Sequence, residues 1–227
     1  MSENLVFPRT ALPALSVGGS DKLFPVRRIW CVGRNYGAHV REMGNDEREP
    51  PFFFAKHGDM VVPNGGTVRY PGLTKDLHYE VELVIAIKGK GENVSVADAP
   101  GLIFGYAVGI DLTRRDLQKV CQEKGKSWEI AKSFEQCAPC GPLTPMNALL
   151  PLSRIMLSVN GQTKQDSTTG HMIWSIAEVI SKLSEQAELA PGDIIFTGTP
   201  QGVGPIVRGD KVLAHVDGLA DLSISLV

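Results

Sequence analysis

Two glutamates spaced two apart, Glu80 and Glu82, lie in the stretch LHYEVELVIAIK at 77–88. In an extended chain, residues i and i+2 share a face, so both carboxylates point the same way. Like charges side by side repel, and an uncompensated buried pair is costly. Three arrangements relieve the repulsion: the pair faces solvent on a half-exposed strand, it meets Lys or Arg across a sheet, or it holds a divalent cation. Hard carboxylate oxygens select Mg, Ca or Mn over softer metals. Downstream, Asp111 stands in FGYAVGIDLTRRD, where an apolar strand pattern gives way to a helix pattern. It is either the N-cap of that helix or a third carboxylate at a strand end. Three carboxylates with open positions suit Mg or Mn, which keep waters that a chelating substrate can displace.

A second group lies upstream in GRNYGAHVREMG, where His39 and Glu42 are three apart and share a face if the segment is helical. A Glu beside a His raises its basicity and orients it, which suits proton abstraction from water; a surface helix whose His and Glu meet only solvent is the plainer reading. Lys132 sits among apolar residues in EIAKSFEQ, as a partly buried cation or one that snorkels outward. FTGTPQGVGP fits neither nucleotide-loop spacing, and no helix pattern follows it. Its turn would expose backbone N–H groups and the hydroxyls of Thr197 and Thr199, which either bind a substrate carboxylate or close the turn. The C-x-x-C of Cys137 and Cys140 lacks a second half for a zinc site, so the four cysteines read as reduced cytosolic thiols.

These side chains need a scaffold, and the chain has the means to build one. Of 227 residues, 43% are hydrophobic and 21% charged, with a net charge of -2, ordinary for a globular protein that buries a core. No Lys/Arg cluster interleaved with aromatics argues for nucleic acid. No apolar stretch reaches the length of a membrane span, and the N-terminus does not read as a secretory signal; a cytoplasmic location is expected. Short strand-like runs separated by Gly and Asn turns dominate: RIWCVG, PFFFAK, GTVRYPG, LHYEVELVIAIK, LIFGYAVGIDLT, IMLSVNGQT, DIIFTGTP, KVLAHVDG and DLSISLV. SVNGQ carries a hairpin signal. Three helices are predicted, over about 36–43, about 114–123 with Leu117, Val120 and Cys121 on one face, and within MIWSIAEVISKLSEQ, where Ile173, Ile176, Ile180 and Leu183 follow helical steps. The expected fold class is mainly β with a few helices (α+β), with an N-terminal arm at 1–23 and one domain at 24–227.

Taken in order, GRNYGAHVREMG, HYEVEL, GIDLTRRDLQ, AKSF and GDIIFTGTPQGVGP resemble the fumarylacetoacetate hydrolase family, near its acylpyruvate and fumarylpyruvate hydrolase branch. The resemblance covers nearly the whole chain from about Phe24. It implies a mixed β-roll, usually dimeric, with Glu80, Glu82 and Asp111 holding Mg2+ or Mn2+. It implies that His39, Glu42 and Lys132 are catalytic, and that Arg115, Gln118 and Thr199 contact a small oxo-acid. The implied reaction is hydrolysis of a carbon–carbon bond in a 1,3-dicarbonyl acid to pyruvate and a carboxylic acid. Rival chemistries from such a site are oxaloacetate decarboxylation or tautomerisation and isomerisation of diene diacids; a catalytically silent diacid-binding dimer is the rival of another class. If the substrate carries a second carboxylate, a spare cation must meet it, and Arg34, Lys56 and Arg114 are the candidates, with Arg34 taken as a substrate contact.

Overall fold

The computed structural model describes residues 5–8, 10–37 and 49–227, and these form four β-sheets with three α-helices. His39 and Glu42, and most of the helix predicted over 36–43, lie outside the described residues. Among the described residues no helix is long and apolar enough to cross a membrane.

The central layer is an eight-stranded sheet. At its middle, Val81–Ile87 pairs antiparallel with Ile103–Ile110 on one side and with Asp193–Phe196 on the other. Arg28–Gly33 then pairs parallel with Asp193–Phe196, and Phe52–His57 closes that edge. All seven residues of Val81–Ile87 are buried, because both faces of the sheet are covered. One face sends Leu83, Ile85, Tyr106 and Val108 into a large core. This core is shared with a five-stranded sheet, through Ile155, Leu157 and Val216, and with helix α3 (Ile176–Gln186), through Val179, Ile180 and Leu183. The other face sends Val84, Ala86, Ala107 and Phe196 into a second core. Each fully buried Val, Leu, Ile or Phe side chain among them contributes about 1.5–3 kcal/mol on burial. Ala14–Ser16, within the segment expected as an arm, pairs with Leu23–Pro25 and places Leu15 in the second core.

Local chemistry explains the element ends. The hairpin of Arg154–Val159 and Gln162–Thr168 turns at Asn160 and Gly161, with φ of 51° and 79°, the paired positive values that a type I′ turn demands. Helix α3 starts later than its hydrophobic repeat predicts. Ser175 caps it and Glu178 reaches back to the Ser175 N–H, a reciprocal capping box, so Ile173 precedes the helix and donates its N–H to the Asn35 carbonyl. Helix α1 (Arg115–Glu123) turns Gln118 and Cys121 inward, whereas Val120, expected on the buried face, is exposed. The four cysteines are free and buried.

Candidate metal centre and substrate cleft

The predicted strand at 77–88 breaks at Glu80. Leu77–Tyr79 leaves the central sheet and pairs instead with Thr113–Arg114 and with Gly204–Pro205. Glu80 therefore sits at the seam between two sheets, at the end of the face that carries Val84 and Ala86. On the neighbouring strand Glu82 is paired with Gly109, and Asp111 donates its N–H to the Glu80 carbonyl at 2.8 Å. Counting by twos from Ala107 puts Asp111 on the same face as the glutamates. Alternation thus gathers the three acids, whose ligand oxygens lie within 4.8 Å of one another with all three residues buried.

Such a cluster needs positive charge. Lys132, at the end of the short helix α2 (Glu129–Lys132), donates to Glu80 Oε2 at 2.9 Å, Asp111 Oδ2 at 2.6 Å and Thr113 Oγ1 at 2.7 Å. Arg115 pairs with Glu80 and donates to Gln118 Oε1. From beneath the site, Lys56 Nζ lies 2.7 Å from Asp111 Oδ1 and donates to the Cys137 carbonyl at 3.0 Å. Although burial pushes the Asp111 carboxyl up, Lys132 and Lys56 hold it below the usual range. Burial opposes the charge on Lys132, and Asp111 and Glu80 more than restore it. Among the described residues Glu82 has no ion-pair partner, and only the more distant Lys132 favours its charge; its Oε2 accepts the Gly198 N–H at 2.7 Å. Gly198 has φ of 93°, and a Cβ there would meet Asn35 Cβ at 2.8 Å, so glycine is needed to present that N–H. Burial, then Asp111 and Glu80, push the Glu82 carboxyl well above its ordinary value.

The donor set fits a divalent cation. It offers three hard oxygen ligands, one carboxylate without a cationic partner and an Asp111 Oδ1 without a well-formed hydrogen bond. Binding must expel the proton that Glu82 favours, because only the carboxylate ligates. Lowering the pH favours protonated Glu82, so Mn2+ affinity falls toward acid and binding there releases protons. Calorimetric titrations in buffers of different ionisation enthalpy read both effects; an affinity flat across pH would contradict them.

The acids form the floor of a cleft of ≈ 490 Å³ whose lining includes Arg34, Arg115, Gln118, Lys132 and Thr199. The structure thus brings all the predicted site residues that it describes to one place. Gln118 is buried and uses its carbonyl oxygen for Arg115. Thr199 Oγ1 accepts from Gln165 Nε2 at 2.9 Å, and Gln165 also accepts the Val81 N–H at 3.0 Å, tying the turn to the central strand. Thr197 is spent on the fold, donating its hydroxyl to the Leu83 carbonyl. Sequence reasoning misplaced one neighbour and missed two. Lys56, weighed as a substrate contact, is instead sealed below Asp111. Trp128 lines the cleft wall, and the Tyr36 hydroxyl is buried beside the cleft without a hydrogen-bond partner. No spacing in the sequence signals a contact between residues so far apart along the chain.

Comparison with known proteins places this geometry. Residues 28–227 match the family model described as fumarylacetoacetate (FAA) hydrolase C-terminal. The crystal structure of fumarylpyruvate hydrolase from Pseudomonas aeruginosa in complex with Mn2+ and pyruvate superimposes with a TM-score of 0.94 at 48% identity, covering 99% of both chains. A fumarylpyruvate hydrolase of Ralstonia sp is 45% identical over 179 residues, 78% of this chain and 93% of that protein. The mitochondrial oxaloacetate tautomerase FAHD1 of Mus musculus is 38% identical over 207 residues, 87% of this chain and 94% of that protein. With a family match across most of its length and relatives this similar end to end, the chain belongs to the fumarylacetoacetate hydrolase family.

Proposed function

We propose that this protein is a metal-dependent hydrolase that cleaves a carbon–carbon bond in a 1,3-dicarbonyl acid of the fumarylpyruvate or acylpyruvate type, releasing pyruvate and a carboxylic acid. The observation that carries this reading is the buried cluster of Glu80, Glu82 and Asp111 at the floor of an open cleft. Its counterpart is a relative of nearly the same fold seen with Mn2+ and pyruvate.

When bound by the three carboxylates, Mg2+ or Mn2+ supplies a Lewis acid and a template for the adjacent carboxylate and carbonyl oxygens of a 2-oxo acid. The chain's own groups do the rest. Arg115, held by Glu80 and Gln118, and the Gln118 amide orient the oxo-acid end. Thr199, fixed by Gln165, adds a hydroxyl at the opposite lip. His39, with Glu42 fixing its orientation, takes a proton from water, and the resulting hydroxide adds to the distal carbonyl carbon. The bond between that carbon and the pyruvyl methylene then breaks, its electron pair leaving with the pyruvyl fragment, which gains a proton. Lys132, kept charged by two carboxylates, opposes the negative charge developing there. The working unit in this proposal is a homodimer, as the family resemblance implies, in the cytoplasm, as the sequence reading expects.

His39→Ala separates the roles. Turnover falls about a hundred- to ten-thousandfold, the usual contribution of a general base, with Mn2+ affinity unchanged; an equal loss of both would remove His39 from the base role. The 38% identity to an oxaloacetate tautomerase keeps a second chemistry in view, since tautomerisation needs no attacking water. Purified protein assayed in parallel on fumarylpyruvate, acetylpyruvate and oxaloacetate, with and without Mn2+, separates them. Metal-dependent release of pyruvate from the first two is the expected result. Oxaloacetate turnover alone would replace the hydrolase reading, and metal binding without turnover would favour a silent diacid-binding protein.

A further inference from the structure

Three cationic side chains line the cleft among the described residues, namely Arg34, Arg115 and Lys132. Arg115 and Lys132 are committed to Glu80 and Asp111. Among the described residues Arg34 has no carboxylate partner; its guanidinium lies over the Trp128 ring, 5.9 Å from the centroid. The other two candidate cations are elsewhere. Lys56 is fully buried against Asp111 and does not line the cleft. Arg114 stacks on Phe134 at 4.3 Å in a separate pocket. Resting on the hydrolase reading above, we infer that Arg34 binds the far carboxylate of the substrate, so that a dicarboxylic oxo-acid is preferred over an acylpyruvate with an uncharged tail.

Arg34 is held for this purpose by its neighbours. It takes the left-handed region, φ 57°, which disfavours a residue with a Cβ and persists only where surroundings enforce it. Here the enforcement comes from buried Asn35. Its Nδ2 donates to the carbonyls of Thr197 at 2.8 Å and Trp174 at 3.1 Å, its Oδ1 accepts the Trp174 N–H at 2.8 Å, and its carbonyl accepts the Ile173 N–H. With the next residue pinned, Arg34 is set at the cleft wall rather than left on a free loop. The Trp128 platform is itself braced, edge-on against Phe52 at 4.9 Å and tilted against Phe54 at 6.2 Å.

The same aromatics map a path from the acids to Arg34. Lys132 Nζ lies 5.3 Å from the Phe54 centroid, Phe54 adjoins Trp128, and Trp128 carries Arg34. An apolar wall ending in a planar, forked cation matches a carbon chain ending in a carboxylate. Trp128 also accepts the N–H groups of Ala131 and Lys132 through its carbonyl, so the platform for Arg34 and the helix that carries Lys132 are one unit.

The test compares two ligands of equal length, 2-oxoheptanedioate and 2-oxoheptanoate, which differ only in the far carboxylate, by calorimetry on Mn2+-loaded protein. The native chain binds the dioate about 10- to 100-fold more tightly, the worth of a charge-assisted pair. Arg34→Gln collapses that preference to within about threefold, and Arg34→Lys, a point charge without the fork, gives an intermediate value. Near-UV circular dichroism and Mn2+ affinity verify the fold; if Arg34→Gln misfolds, the Arg34→Lys comparison decides. A preference retained in the variants, or absent from the native protein, overturns the assignment. A native preference without fumarylpyruvate cleavage would sink the hydrolase reading and leave Arg34 assigned, whereas cleavage without preference would do the reverse.

Discussion

Glu82→Gln lowers fumarylpyruvate turnover by about a thousandfold or more, yet the metal-free variant melts above the native protein. The first effect follows from losing one of three ligand carboxylates, because Lewis-acid assistance is worth several kcal/mol and each 1.36 kcal/mol is tenfold in rate. The second follows from the Glu82 environment: burial, Asp111 and Glu80 all oppose its charge and outweigh Lys132 and the Gly198 N–H, and among the described residues it has no ion-pair partner. A carboxyl whose folded pKa lies above its unfolded value favours the fold while protonated. That contribution is lost as pH rises from the unfolded value toward the folded one. Above the ordinary carboxylate range Glu82 therefore works against folding, whether it keeps its charge or takes up a proton to lose it, and a neutral amide, which still accepts from Gly198, does not. Each kcal/mol recovered raises the melting temperature by about 2–4 °C in a chain of this size. Scanning calorimetry without and with Mn2+ reads the crossover, since the ion stabilises the native protein more than the variant. A variant that melts lower than native in the absence of metal would show that Glu82 is a structural acid.

Lys56→Met destabilises the protein by about 3–5 kcal/mol, the cost of breaking a buried ion pair from one side. The Lys56 side chain is wholly buried and supplies Asp111 Oδ1 and the carbonyls of Leu112 and Cys137. Methionine fills the volume but leaves those three acceptors without their cation. The melting temperature falls by about 10 °C. The two carbonyls then lack a donor and Asp111 keeps only Lys132, so this loss is present in metal-free protein too. Urea unfolding gives the free energy directly. An unchanged midpoint would mean that water replaces the ammonium and that the pair does not hold the floor of the site.

How much of this was legible in the sequence depends on how far apart the partners lie. Period-two alternation put Glu80, Glu82, Val84 and Ala86 on one face, and the structure keeps that order with the acids at the seam and the aliphatics in the second core. The Asn160-Gly161 hairpin was legible because its turn residues dictate the backbone locally. The break at Glu80 was not, since no Gly or Pro interrupts HYEVEL; it arises because Thr113–Arg114 and Gly204–Pro205 draw Leu77–Tyr79 into another sheet. Ser175 and Glu178 spelled out the start of α3, but the apolar run through Ile173 masked them. The charge partners were least legible. Lys56 and Asp111 meet although three strands separate Phe52–His57 from Ile103–Ile110 in the sheet order, and nothing local to either records it. Arg34 resisted ranking for the same reason, because its environment is made by Trp128 and Asn35.

The proposed function requires that Glu80, Glu82 and Asp111 together hold one divalent ion at the floor of the cleft. Crystals of the chelator-treated protein soaked with MnCl2 and pyruvate, measured at the manganese absorption edge, test it most directly. One anomalous peak per chain is expected within ligand distance of all three carboxylates, about 2.0–2.6 Å for Mg- or Ca-like oxygen coordination, with pyruvate density against it. The same peak should be missing in Glu82→Gln crystals. Clear density for Lys132 still bridging Glu80 and Asp111, with no manganese signal between the three acids at saturating concentration, would contradict it.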